Sequence, residues 1–143
     1  MIAGLNPYII LSGRAKEAVT FYEQALGAEV LGVQTFGEMP EDSDTPLPED
    51  VKKQVMHAHL RIGGDDLMLS DGFPGQPAQV GTHIVLAVNV DSAAEAEAVY
   101  ERLAERGEQV MPLQETPFSP AHGHVKDQFG ITWYVTAAGE GAQ

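Results

Sequence analysis

Two stretches of this 143-residue chain superimpose in order. Ala15-x-Glu17-Ala18-x-x-x-Tyr22-Glu23 lies over Ala93-x-Glu95-Ala96-x-x-x-Tyr100-Glu101 at a constant offset of 78. Gly27-x-x-Val30 lies over Gly107-x-x-Val110 at an offset of 80, so the second helix is expected to be two residues longer. An internal repeat limits the possible architectures, because each copy is one supersecondary unit with an apolar face to cover.

The content of each copy follows from hydrophobic periodicity. Residues 5–11 include Tyr8, Ile9, Ile10 and Leu11, a short apolar run suited to a buried strand. Over residues 14–26 the apolar positions Ala15, Ala18, Val19, Tyr22 and Leu26 have helical spacing, with Ser12 as the expected N-cap and Gly27 as the stop. Residues 29–36 resume as a strand. Between positions 38 and 50 lie six acids with Pro40, Pro46 and Pro48, a composition that holds neither helix nor strand. This is either a solvated connection or a lid over a pocket. Residues 52–62 read as a strand, with Val55, His57 and His59 on one face. Gly63-Gly64-Asp65-Asp66 turns the chain into residues 67–70, and residues 71–81 are linker-like.

The order then repeats. Residues 82–90 form a strand; Ser92 and Glu95 make a capping box for a helix bearing Ala96, Val99, Tyr100 and Leu103; Gly107 ends it. Residues 109–113, 123–126 and 131–135 supply three more strands, the last two joined by the Asp127-Gln128-Phe129-Gly130 turn. The expected fold is α+β, two βαβββ modules with concave mixed sheets. The first spans residues 1–72 and the second 82–138, with 73–81 as linker.

Charge narrows the partners. Twenty-one acids against eight Lys and Arg leave a net charge of -13, which repels phosphate backbones and anionic membranes. Nucleic acid and membrane are not expected partners. No apolar run approaches the roughly 20 residues needed to span a bilayer, and Met1-Ile2-Ala3-Gly4 lacks the basic flank of a secretion signal, so a cytoplasmic location is expected. The absence of cysteine removes disulfides, zinc-thiolate sites and cysteine nucleophiles. No Ser-His-Asp order, P-loop or dinucleotide glycine pattern is present.

Paired βαβββ units with Phe21-Tyr22 and Leu26-Gly27-Ala28 closing the first helix resemble the vicinal oxygen chelate superfamily. That group includes glyoxalase I, extradiol dioxygenases and bleomycin-resistance proteins. Asn6-Pro7-Tyr8-Ile9, Phe36-Gly37-Glu38-Met39-Pro40, His57-Ala58-x-Leu60, Leu67-Met68-Leu69-Ser70-Asp71, Gln114-Glu115-Thr116 and Val125-x-Asp127-x-Phe129-Gly130-x-x-Trp133 resemble its PhnB-like branch. This branch is often labelled by similarity to a demethylubiquinone methyltransferase, although no site for a methyl-donor cofactor is recognisable. Where the branch commonly has an aromatic pair after Thr116, this chain has Pro117-Phe118.

The resemblance implies a cup holding a metal or small ligand, and a homodimer, which unpaired sheet edges also favour. Metal-using relatives place ligands at positions that fall here near Pro7, Leu69, His83 and Tyr134; of these only His83 is a metal donor. His57 and His59, on one strand face, are the other candidates to hold a divalent metal (Zn, Mg, Mn, Ni or Fe). His122-Gly123-His124 has the same spacing, but its neighbours Pro117, Ser119 and Pro120 point to an exposed loop. The residues expected to line a ligand cavity are Tyr8, Phe36, Met56, His57, His59, Met68, His83, Phe118 and Trp133. Two functions are compatible with this set. One is binding of a small apolar or planar molecule. The other is a metal-dependent lyase, isomerase or dioxygenase acting on adjacent substrate oxygens.

Overall fold

A computed structural model describes residues 1–39, 46–73 and 75–138. The chain divides into two compact units, Met1–Gln79 and Val80–Gln143. The first contains β1 (Tyr8–Ile10), α1 (Ala15–Leu26), β2 (Glu29–Thr35), a 3-10 turn (Phe36–Glu38), α2 (Glu49–Lys52), β3 (Val55–Ile62) and β4 (Asp65–Ser70). The second contains β5 (Leu86–Val90), α3 (Ala93–Ala104), β6 (Glu108–Thr116), β7 (Ser119–Lys126) and β8 (Thr132–Ala137).

Their sheets share one topology. The strand orders are β1-β4-β3-β2 and β5-β8-β7-β6. In each, the first strand pairs parallel with the last, and the other pairings are antiparallel. Both are therefore four-stranded mixed sheets of a βαβββ unit, the α+β architecture that the repeat predicts.

Helix α1 buries Ala15, Ala18, Val19, Tyr22 and Ala25, and Ile9, Ala58, Leu60, Leu67 and Leu69 are the buried alternate positions of its sheet. In the second unit α3 buries Ala96, Tyr100 and Leu103, and Ala121, Val125, Trp133, Val135 and Ala137 are buried on the strands. Each large aliphatic side chain buried in this way contributes about 1.5–3 kcal/mol. The Tyr100 hydroxyl donates to the Met111 carbonyl at 2.9 Å, which satisfies the polar tip of a buried ring. Burial raises its phenol pKa above 10.0.

Several local expectations change. Ser12 does not cap α1: its hydroxyl accepts from the Ala78 amide at 2.6 Å. The start of α1 is held by Asp71, whose Oδ1 accepts from the Gly13 and Ala15 amides at 2.7 and 2.8 Å while Oδ2 accepts from Val55 N at 2.8 Å. The predicted cap at Ser92 does form, accepting from Glu95 N at 3.2 Å. Helix α3 stops at Ala104 rather than at Gly107, so at 12 residues it equals α1 instead of exceeding it by two, and Arg106 follows at a positive φ of 59°. Gly107 meets a different need, because a Cβ there would overlap the Lys126 carbonyl.

Strand limits also move. Lys52 belongs to α2, where Glu49 and Asp50 occupy the first turn and favour the helix dipole, so β3 begins at Val55. A register shift between Gln34 and Thr35 breaks the alternation, and Val55 is fully buried, unlike His57 and His59. The strand expected over 82–90 starts at Leu86, opposite Trp133 where β8 supplies a partner. Of the loop or lid expected over 38–50, residues 40–45 lie outside the described residues, as does Pro74 of the linker. Among the described residues no helix is long and apolar enough to cross a membrane.

Candidate functional site

Side chains alternate across a strand, so residues in register with the buried set's neighbours share the sheet face turned from the helix. In the first unit that face carries Tyr8 opposite Met68, Met68 opposite His59, and His57 opposite Gln34. The Tyr8 hydroxyl lies 3.2 Å from His57 Nδ1. His59 Nε2 stands 3.4 Å from Asp66 Oδ1 without hydrogen-bond geometry, and so has no hydrogen-bond partner among the described residues. Arg61 Nε donates to the same Asp66 oxygen at 3.1 Å. That bond chiefly holds the Asp66 carboxyl below its ordinary pKa of 3.8, with His59 adding in the same direction.

The second unit gathers a tighter group. His122 pairs in register with Thr136, and His124 with Tyr134, across β7 and β8. The His124 and Tyr134 rings stack with centroids 3.5 Å apart and planes within 3°. His122 Nδ1 lies 2.8 Å from Thr136 Oγ1, and its Nε2 is 3.0 Å from His124 Nε2. Phe118, 64% exposed in the turn after β6, meets the His122 ring edge to face at 4.9 Å. Desolvation first, and then the charge His122 would carry, lower the His124 pKa below 6.5.

The expectation of an exposed loop at His122-Gly123-His124 is therefore corrected. Pro117 and Phe118 form a tight hairpin turn, and β7 begins at Ser119 in spite of Pro120, so His122 is buried. Strand alternation with Tyr134 and Thr136 was the sequence signal that could have found this group. Asp71 was also missed as a structural residue, because its partners are distant in the chain.

Other expected lining residues occupy different environments. Phe36 is half-buried in the 3-10 turn, and Met56 is half-buried beside the register shift. His83 is exposed ahead of β5. Trp133 is 4% exposed, and its indole N–H donates to Asp127 Oδ2 at 2.8 Å. Asp127 Oδ1 accepts from the Phe129 and Ile131 amides at 2.9 and 3.0 Å, so this carboxylate shapes the hairpin turn.

The positions used for metal by some relatives do not offer a donor set. Pro7 has no ligating side chain and precedes β1, Leu69 is fully buried, His83 lies outside the strands, and Tyr134 is stacked on His124. Among the described residues no three His, Asp or Glu side chains are grouped as ligands.

Comparison with known proteins places these features in a family. The model of the Glyoxalase/Bleomycin resistance protein/Dioxygenase superfamily matches residues 4–135. Protein YjdN of Escherichia coli strain K12 is 33% identical over 137 residues, covering 92% of each chain. Among solved structures, protein PA1353 from Pseudomonas aeruginosa superimposes with a TM-score of 0.85 at 36% identity, covering 97% of this chain and 100% of that one. A PhnB protein from Bacillus cereus gives 0.76 at 25% identity, covering 94% and 98%. With its two βαβββ units and a match along nearly its whole length, the chain belongs to the glyoxalase/bleomycin resistance protein/dioxygenase superfamily.

Proposed function

We propose that this protein is a PhnB-like member that binds a small apolar or planar molecule against the helix-free face of a sheet, in the cytoplasm and as a homodimer. The observation that carries the reading is the aromatic group of the second unit. The stacked His124 and Tyr134 rings and the exposed Phe118 ring are not consumed by the α3-facing core. Aromatic faces with a few polar atoms, here Thr136 and the imidazole nitrogens, suit a flat ligand. The branch assignment draws on the sequence motifs and on the Bacillus cereus relative.

The test is a titration of 15N-labelled protein with a panel of planar aromatic compounds. Amide shifts should concentrate on β7 and β8, and Phe118→Ala and Tyr134→Ala should each weaken binding about tenfold. Shifts confined to other strands would refute the assignment. Light scattering at micromolar concentration should give a dimer mass; a monomer alone would remove that part.

The metal-dependent reading draws on His57 and His59, which share a face of β3. It requires His83 to join one of them. If His83→Ala and His57→Ala leave metal content unchanged, this reading fails.

A further inference from the structure

We propose that His122 and His124 form a two-imidazole site for a late first-row divalent ion, copper(II) or nickel(II) ahead of zinc(II), on the helix-free face of β7. These residues are separate from the positions that metal-using relatives would employ, and the inference does not rest on the small-molecule reading. The first observation is the approach of the two ring nitrogens, Nε2 to Nε2, at 3.0 Å. Metal–imidazole bonds of about 2.0–2.1 Å across that gap subtend roughly 94° at the ion, near a cis angle of a square or tetragonal site. A tetrahedral ion would want the nitrogens about 3.3 Å apart.

The surroundings preorganise this pair. When His122 Nδ1–H donates to Thr136 Oγ1, the Nε2 of that ring keeps a lone pair, which accepts from His124 Nε2 without metal and can bind a cation in its place. His124 is clamped flat on Tyr134. The strand beneath cannot readily shift, because Gly123 lies against the Met111 and Leu113 backbone and the Tyr100 ring, each 3.0 Å from where its Cβ would be. Without metal one Nε2 donates its proton to the other. With the ion bound, His124 carries that proton on Nδ1 and both Nε2 atoms coordinate. Water or oxygen donors of a ligand fill the remaining positions. The second His-x-His pair lacks this arrangement, since His57 is turned to Tyr8 and His59 to Asp66.

Untagged full-length protein, stripped with chelator, is titrated calorimetrically with CuCl2, NiCl2 and ZnCl2 in turn. One ion per chain is expected, with copper tightest and zinc weakest of the three. His122→Ala and His124→Ala should each cost at least tenfold in copper affinity, Thr136→Val about tenfold through loss of the Nδ1 partner, and His57→Ala and His83→Ala nothing. Copper electron paramagnetic resonance of the unaltered protein should show coupling to two imidazole nitrogens, a readout that does not depend on variant folding. Unchanged copper affinity in folded His122→Ala and His124→Ala, tighter binding of zinc than of copper, or a spectrum without imidazole coupling would each overturn the proposal. Absence of planar-ligand binding by the unaltered protein, with metal binding retained, would refute the small-molecule reading alone.

Discussion

Replacing Asp71 should weaken the first unit more than any single polar substitution on its surface. Its carboxylate accepts from Gly13 N and Ala15 N at the start of α1 and from Val55 N at the start of β3. The side chain is only 5% exposed, so water cannot readily replace it. A hydrogen bond to a charged group contributes about 1.5–3 kcal/mol. Asp71→Asn keeps an oxygen for the helix amides but presents an NH2 group to the Val55 donor, so it should cost about 1.5–3 kcal/mol. Asp71→Ala abandons all three donors, two of them in buried bonds, and should cost about 3–6 kcal/mol. That is a large share of the roughly 5–15 kcal/mol typical of a folded domain. Ser12→Ala is the control, expected to cost less than about 1 kcal/mol, because Ser12 does not cap the helix. Tryptophan fluorescence would report on the wrong unit, since Trp133 is the only tryptophan. Urea unfolding followed by far-ultraviolet circular dichroism, with hydrogen exchange at the Val55 amide, reads the relevant one. A cost for Asp71→Asn below about 0.5 kcal/mol, or one smaller than that of Ser12→Ala, would refute the reasoning.

Gly107→Ala should destabilise the second unit by about 1–3 kcal/mol in urea unfolding, because the new methyl group meets the Lys126 carbonyl and the Asp127 backbone. Ser92→Ala should cost about 1 kcal/mol by removing the α3 cap, seen as a lower unfolding midpoint. A nuclear magnetic resonance titration of Asp66 should give a pKa below 3.8 that rises in Arg61→Gln. A carboxyl depressed in the folded state adds stability above its unfolded pKa and loses it as pH falls through the folded value. The variant should therefore show a shallower loss of stability below about pH 4.

The repeat, the helix faces and the Ser92 cap were legible because they depend on local periodicity and short-range hydrogen bonds. Strand limits were less so. Nothing within residues 82–85 says that β8 offers partners only from Leu86 onward. The N-terminus of α1 misled for a related reason: Ser12 has the right chemistry at the right place, but a carboxylate more than fifty positions away takes the role. At the candidate site, His57 and His59 were recognisable from alternation and Tyr8 and Met68 from their aromatic and sulfur side chains on expected strands, and the four do share a sheet face. His122 and His124 were obscured by Pro117 and Pro120, whose loop-like composition concealed a hairpin.

Asp71 and Asp127, the two buried carboxylates among the described residues, imply different folding orders. Asp127 ties groups two, four and six residues away, whereas Asp71 reaches back 56 and 58 residues and 16 to Val55. Closing the longer loop costs about 2 kcal/mol more chain entropy. The β7–β8 turn can therefore assemble early, while the Asp71 bonds form only once α1, β3 and β4 have come together. Stopped-flow refolding should show Asp127→Asn slowing folding and Asp71→Asn mainly speeding unfolding. One carboxylate would act on how quickly its unit forms, and the other on how long its unit lasts.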